Sequence, residues 1–147
     1  MDRTEIAATN ASMTARVLQM PTTPVPDGGY ALRVLRTRGR RSGEPRDTPI
    51  GVVGHGGAGY LVSPTGGRDW VRNLRATPEC AIRSVTGDEP HRAVEPGRAE
   101  AAAVVVGYLR ALDVPWALSA FPVPADATEE QVAEYLDAIA VFRLDPA

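Results

Sequence analysis

The sequence predicts a single α+β domain whose core is an antiparallel meander or barrel of about six strands, flanked by three or four helices. Three observations carry this expectation. Strand-like runs at residues 30–37, 48–53 and 60–63 follow one another with only turn-forming segments between them. Neither connection between these three runs is the long helical crossover that a parallel sheet requires. The helical patterns lie outside this run, at residues 3–20, 68–76, 98–112 and 128–138.

Each element has a local cause. Residues 3–20 carry Ile6, Met13, Val17 and Leu18 at loosely helical spacing, and Pro21 ends the run. Pro24, Pro26, Asp27, Gly28 and Gly29 then form an extended linker and turn. Tyr30 to Thr37 is rich in apolar and β-branched residues. It breaks at Arg38-Gly39-Arg40-Arg41-Ser42-Gly43-Glu44-Pro45-Arg46, and Thr48 to Val53 returns as the second strand of a long hairpin. Gly54 to Gly59 turns the chain into the strand Tyr60–Ser63, which Pro64-Thr65-Gly66-Gly67 stops. A short helix from Arg68 to Ala76 follows, with Asp69 at its positive N-terminal end and Pro78 just beyond it. A strand pair is expected at Cys80–Val85 and His91–Val94, and the strongest helix at Arg98–Leu112. Asp113 to Asp126 holds three prolines and reads as irregular. Thr128 with Gln131 gives a capping box for a last helix to about Ala138, before a closing strand at Ile139–Leu144.

Composition narrows the function. The chain has 147 residues, a formal charge of -2 and 44% apolar residues, an ordinary soluble profile. That charge argues against nucleic-acid binding. The single cysteine, Cys80, excludes an intramolecular disulfide and fits a reducing compartment. The polar start is not a signal peptide and no apolar run is long enough to span a bilayer, so a cytoplasmic protein is expected.

All sixteen basic residues are arginine. Their distribution is informative: Arg33, Arg36, Arg38, Arg40, Arg41 and Arg46 crowd into one hairpin against a single acid, Glu44. Such a crowd needs counter-ions, and a dianionic ligand would supply them. In that reading Gly39 and Gly43 expose backbone N–H groups and Ser42 adds a hydroxyl. The plainer alternative is a solvated tip with acidic neighbours elsewhere in the fold. Ser63 to Gly67 followed by Arg68-Asp69-Trp70 repeats the logic, a small-residue turn feeding a helix N-terminus. Trp70, Asn73 and Leu74 share one face of that helix; core packing is the common reading for Trp70 and Leu74, and Asn73 needs a hydrogen-bond partner. His55 and His91 lack partners at metal-ligand spacing, and Cys80 lacks an adjacent base. With no acid–base machinery in sight, a cofactor has to carry any reaction.

The string Leu35-Arg36-Thr37-Arg38-Gly39-Arg40-Arg41-Ser42-Gly43-Glu44-Pro45-Arg46-Asp47-Thr48-Pro49 resembles the LxTxGRxSGxxRxxP signature of the deazaflavin-dependent nitroreductase-like family. Residues 60–67 and 69–76 look like its second and third blocks, and Val141-Phe142-Arg143-Leu144 is similar to its terminal strand. The resemblance implies a split β-barrel, an FMN-binding-like fold, at residues 30–147, behind an N-terminal helix and linker at 1–29. It implies coenzyme F420, a deazaflavin with a phosphodiester and glutamate tail. The tail would meet Arg40, Arg41, Ser42, Gly43 and Arg46, with Thr48 and Pro49 beside them. The ring would meet Ser63, Thr65, Gly66, Gly67, Trp70, Asn73 and Leu74. Relatives place substrate-orienting tyrosines in the C-terminal third, where this chain offers Tyr108, Trp116 and Tyr135 without a matching motif.

The implied activity is hydride transfer from reduced F420 to a small hydrophobic acceptor: a quinone, enone, nitro compound or secondary-metabolite intermediate. An FMN-dependent split-barrel oxidoreductase and a non-catalytic cofactor- or ligand-binding barrel are the alternatives. A monomer and a homodimer are both compatible with the sequence.

Overall fold

The computed structural model describes residues 2–147. In chain order the elements are α1 (Arg3–Val17), β1 (Tyr30–Arg38), β2 (Pro45–His55), β3 (Ala58–Ser63), α2 (Asp69–Ala76), β4 (Glu79–Ser84), β5 (Gly87–Val94), α3 (Arg98–Ala111), α4 (Pro115–Leu118), α5 (Glu129–Ala133) and β6 (Ala140–Pro146). The six strands close a barrel in the order β1-β2-β3-β6-β5-β4, every pairing antiparallel.

The long β1–β2 hairpin is the backbone of this arrangement. Its ladder runs unbroken from Tyr30 opposite Val53 to Arg38 opposite Pro45. Alternation sends Leu35 of β1 and Val52 of β2 inward, where they meet Leu61, Ile82, Ala93, Phe142 and Leu144 from the other strands. Helix α2 completes this interior core with Trp70, Val71 and Leu74, and Trp70 packs on Phe142 with ring centroids 6.1 Å apart. A second core lies outside the barrel wall. Val53, Tyr60, Val62 and Val141 are covered there by Val104, Val105 and Leu109 of α3 and by Val132 of α5. Strand β3 therefore has core on both faces, which explains why Tyr60 to Ser63 is buried without interruption. Tyr60 and Glu100 fasten α3 to the wall through a 2.6 Å hydrogen bond, and Arg143 of β6 joins the same carboxylate at 3.1 Å.

The pairing registers define two barrel ends. One gathers the β1–β2 turn, the β3–α2 turn and the first residues of β4 and β6. The other gathers the β2–β3 and β4–β5 turns and the start of β1. The linker is stitched to that second end: Gly28 donates to Gly54 O at 2.9 Å and Gly54 donates to Gly29 O at 3.0 Å. A side chain at residue 54 would collide with the backbone of Pro26, its Cβ falling 2.2 Å from the carbonyl oxygen. Helix α1 opens on a capping box, with Asp2 accepting from Glu5 N at 2.8 Å, and packs on β1 and β2 with Val17 buried.

Several boundaries differ from the sequence-based expectation. The hairpin turn is tighter than residues 38–46, because Arg38 and Pro45 already pair across the ladder. β5 begins at Gly87 and not at His91, since pairing with β4 carries polar Asp88 and Glu89 into the sheet regardless of their propensity. The expected irregular stretch contains the four-residue α4. The last helix stops at Ala133 and not at Ala138, with Val132 its single buried residue.

Candidate functional site

The arginine hairpin divides into three populations once folded. Arg33 points into the barrel toward the far end: it is 9% exposed and donates to the carbonyls of Leu32 and Thr23. Arg36 lies on the outer face and forms a two-pronged pair with Asp47, at 2.7 and 2.9 Å. Burial disfavours the Asp47 carboxylate, but hydrogen bonds and charges from Arg36 and Arg83 outweigh it and hold its pKa below the usual range. Arg40 donates to Asp69 Oδ1 at 3.2 Å and to Asn73 Oδ1 at 2.9 Å. The Arg40 hydrogen bond, ahead of the opposing burial, lowers the pKa of Asp69. Two of the six guanidinium groups, Arg36 and Arg40, are therefore paired with acids and Arg33 is turned away into the barrel, which corrects the expectation that the whole crowd awaits one ligand. Arg38, Arg41 and Arg46 remain exposed and form no ion pair among the described residues.

The turn itself is built from small residues for reasons of space and φ. Gly39 N–H donates to Glu44 O and Gly43 N–H to Gly39 O, both at 2.8 Å. These two donors are consumed by the turn, contrary to the expectation that they face an anion. Gly43 has φ of 73°, a left-handed value suited to glycine. A Cβ at residue 39 would lie 2.8 Å from Ser42 Oγ. The Ser42 oxygen accepts from Glu44 N at 3.1 Å and Arg46 Nη2 at 3.4 Å, so its own proton remains available to donate. The N–H groups of Arg41 and Ser42 at the apex have no acceptor among the described residues.

Asn73 holds this tip in place. It is 3% exposed; its Oδ1 accepts from Arg40 N at 3.2 Å as well as from the Arg40 guanidinium, and its Nδ2 donates to Thr37 Oγ1 at 3.2 Å. Asn73 thus clamps the hairpin onto α2, and its polar atoms are spent inside the protein. Trp70 and Leu74 beside it are core residues, 5% and 1% exposed. Ser63 is fully buried and donates to Thr65 O at 2.6 Å, shaping the β3–α2 turn. These four stand behind the surface; Thr65, Gly66 and Gly67 form the accessible part of the turn, and Thr48 and Pro49 are half-buried on β2.

That turn is ringed by guanidinium groups that sequence reasoning did not assign. A Cβ on Gly66 would sit 3.1 Å from Arg75 Nη1, and one on Gly67 would sit 4.0 Å from Arg72 Nη2. Arg75 is neutralised by Glu95 at 2.8 Å, whereas Arg68 and Arg72 form no ion pair among the described residues. Arg68 counts as exposed over the whole residue, yet burial of its charged head lowers its pKa, with the Tyr108 phenol acting in the opposite sense. The only sequence signal was an arginine directly after the glycine pair.

Of the three aromatic candidates, Tyr108 is the one held in the core, beside the start of β1. It sits half-buried on α3, edge-on to Tyr30 at 5.7 Å and to Phe121 at 6.2 Å. Burial pushes its pKa up, Tyr30 adds to the rise and Arg68 opposes it, so the phenol stays protonated. Trp116 is 78% exposed on α4 and Tyr135 is 42% exposed after α5. Cys80 is half-buried with its thiol pushed up to about 11 by burial, an inert sulfhydryl.

This donor set suits a long anionic tail: two free guanidinium groups, two apex amides and a hydroxyl lie on one tip, with a further unpaired, desolvated guanidinium at the adjacent turn. Residues 4–107 match the model of the F420H(2)-dependent quinone reductase family. The chain belongs to that family. It is accordingly an oxidoreductase whose cofactor is coenzyme F420; nothing in the match supports the FMN alternative. No curated protein matches the sequence. Among solved structures, one described as a domain-swapped dimer is 21% identical with a TM-score of 0.56, over 95% of this chain and 99% of the other. A heme-binding protein from Mycobacterium smegmatis is 18% identical with a TM-score of 0.52. The match covers 94% of this chain, which spans 50% of that protein's length. A NimC/NimA family protein from Clostridium acetobutylicum is 19% identical with a TM-score of 0.51, over 77% and 72% of the two chains. These likenesses show the split-barrel fold. No helix among the described residues of the reductase is long and apolar enough to cross a membrane.

Proposed function

We propose that the reductase holds the phosphodiester and glutamate tail of F420 at the β1–β2 tip and reduces a small, electron-poor hydrophobic acceptor beside the β3–α2 turn. The observation that carries this reading is the tip itself, where Arg41 and Arg46 stand unpaired next to the free apex amides, on a turn that Asn73 fixes to α2. Arg41, Ser42 and Arg46 bind the tail through charge-assisted hydrogen bonds. Arg40 and Gly43 keep the turn in shape. Thr65, Gly66 and Gly67 border the ring with Thr48 and Pro49, while Ser63, Trp70, Asn73 and Leu74 support that surface from the core side. Reduced F420 supplies a hydride when bound. The protein's own contribution is orientation, exclusion of water and a proton. Tyr108 is the residue assigned to deliver that proton, as a half-buried phenol that burial keeps protonated while the positive charge of Arg68 opposes the rise in its pKa.

A quinone is the acceptor named by the family, and enones and nitro compounds share the electron deficiency that hydride transfer needs. Fluorescence titration of the full chain with F420 tests the tail site. The Arg41→Ala/Arg46→Ala double variant is expected to lose several kcal/mol of binding, about 1.5–3 for each charge-assisted contact. Affinity that survives the double substitution moves the tail elsewhere. Turnover with menadione and with a nitroarene then ranks the acceptors. Light scattering decides between a monomer and a homodimer; one structure of similar fold is a domain-swapped dimer.

A further inference from the structure

The barrel end opposite the arginine tip holds a cavity of about 260 Å³ that the F420 reading does not use. Val25, Val52, Ile82 and Leu144 give it an apolar side, Ser84, Glu89 and His91 a polar one, and Arg33 stands in the lining. A neighbouring cavity of about 220 Å³ shares Arg33, Thr22 and Ser84 with the first, so the Arg33 side chain borders both. Arg33 is 9% exposed and forms no ion pair among the described residues. Its Nη1 donates to Leu32 O at 2.9 Å and its Nη2 to Thr23 O. A guanidinium has five N–H donors, so these two bonds leave capacity over. A buried charge lacking a counter-ion is costly, and an incoming carboxylate gives it both the charge and a bidentate geometry.

We propose that this end of the barrel is a second ligand site, selective for a small monocarboxylic acid with a compact apolar body. The carboxylate pairs with Arg33 and the hydrocarbon part packs on Val52, Ile82 and Leu144. The size follows from the cavity, which lies below the usual range for drug-sized ligands, about 300–1,000 Å³. The charge follows from the mouth. Asp27 and Glu89 both line it and both are exposed, Asp27 accepting from Gly57 N at 3.2 Å and Glu89 standing 3.7 Å from His91 Nε2. The buried guanidinium offers a bidentate partner for one carboxylate, and the two carboxylates at the rim repel a second negative charge, which disfavours phosphate or a dicarboxylate.

The site stands independently of the F420 tail, so its test is separable from that of the cofactor. Ligand-observed NMR and calorimetry on the purified full chain use benzoate and hexanoate as probes, with succinate and inorganic phosphate as comparisons. Benzoate or hexanoate is expected to bind and to raise the Tm, with succinate and phosphate weaker by roughly tenfold or more. Arg33→Met, which keeps the stem, is expected to abolish this binding, while Arg41→Ala/Arg46→Ala leaves it unchanged. Ile82→Phe fills part of the cavity with Arg33 intact and is expected to weaken binding as well. It serves as the deciding variant if Arg33→Met fails to fold. Monocarboxylate binding that persists in Arg33→Met or Ile82→Phe, or that is lost with the tip arginines, overturns the site. So does an absence of binding at millimolar probe.

Discussion

Replacing Asn73 by alanine is the sharpest test of how the cofactor tip is held. The amide makes three hydrogen bonds to the hairpin, at 3.2 Å to Arg40 N, 2.9 Å to the Arg40 guanidinium and 3.2 Å to Thr37 Oγ1. Each is worth about 0.5–1.5 kcal/mol net, and a stranded buried partner adds to the loss. Thr37, 2% exposed, loses its only side-chain hydrogen-bond partner among the described residues. The sum for Asn73→Ala is a destabilisation of about 2–4 kcal/mol, read as a lower urea midpoint at unchanged slope. Freeing the tip also means that F420 binding must order it again, a cost of about 1.4 kcal/mol, or roughly tenfold in Kd. Asn73→Asp retains an acceptor for Arg40 and can accept the Thr37 proton, so it recovers most of the affinity. A loss of stability below about 0.5 kcal/mol, together with wild-type Kd, would falsify the clamp.

Four further outcomes are expected. Asp47→Asn strands Arg36 and leaves Arg83 with Asp88 alone, and costs about 1–2 kcal/mol, between the values for exposed and buried pairs. Because the folded pKa of Asp47 is depressed, its contribution is full above the unfolded carboxylate pKa and disappears as pH falls through the folded one. The stability gap between wild type and Asp47→Asn should therefore close in acid, and a gap independent of pH contradicts the pair. Tyr108→Phe is expected to lower kcat by roughly a hundredfold or more with Kd for F420 retained; equal kcat removes Tyr108 as proton donor. Gly54→Ala should cost about 1–3 kcal/mol by forcing the linker off the barrel, detectable as faster proteolysis between residues 18 and 29. F420 affinity should fall as salt rises; a flat response assigns the binding to ring stacking instead of the tip.

The comparison of sequence with structure is instructive at the arginines. Six of them in one hairpin suggested one electrostatic site, but a strand alternates its faces. Residues 33 and 36 were sent inside and outside the barrel, and their partners came from Thr23 and Asp47. The tip keeps its expected shape because the turn at 39–44 is local: its glycines, Ser42 and Gly43's positive φ are properties of neighbouring residues. Arg68 and Arg72 went unassigned because nothing in a linear string shows that a guanidinium is desolvated or lacks an acid. The Thr128 capping box was legible for the same reason as the tip, since Gln131 N reaches Thr128 Oγ1 at 3.2 Å within one turn.

What the chain determines by itself is whatever depends on residues close in sequence: the hairpin ladders, the β1–β2 and β3–α2 turns, the helix starts, and the motif that marks the family. Barrel closure lay beyond it. β6 enters between β3 and β5, and β1 meets β4 across more than forty intervening residues. Those pairings are chosen by burial of a shared interior, which no local pattern encodes. The same holds for Asn73 against Arg40 and for the lone Arg33 beside two cavities. Partners for buried polar groups are set by which surfaces the fold brings together.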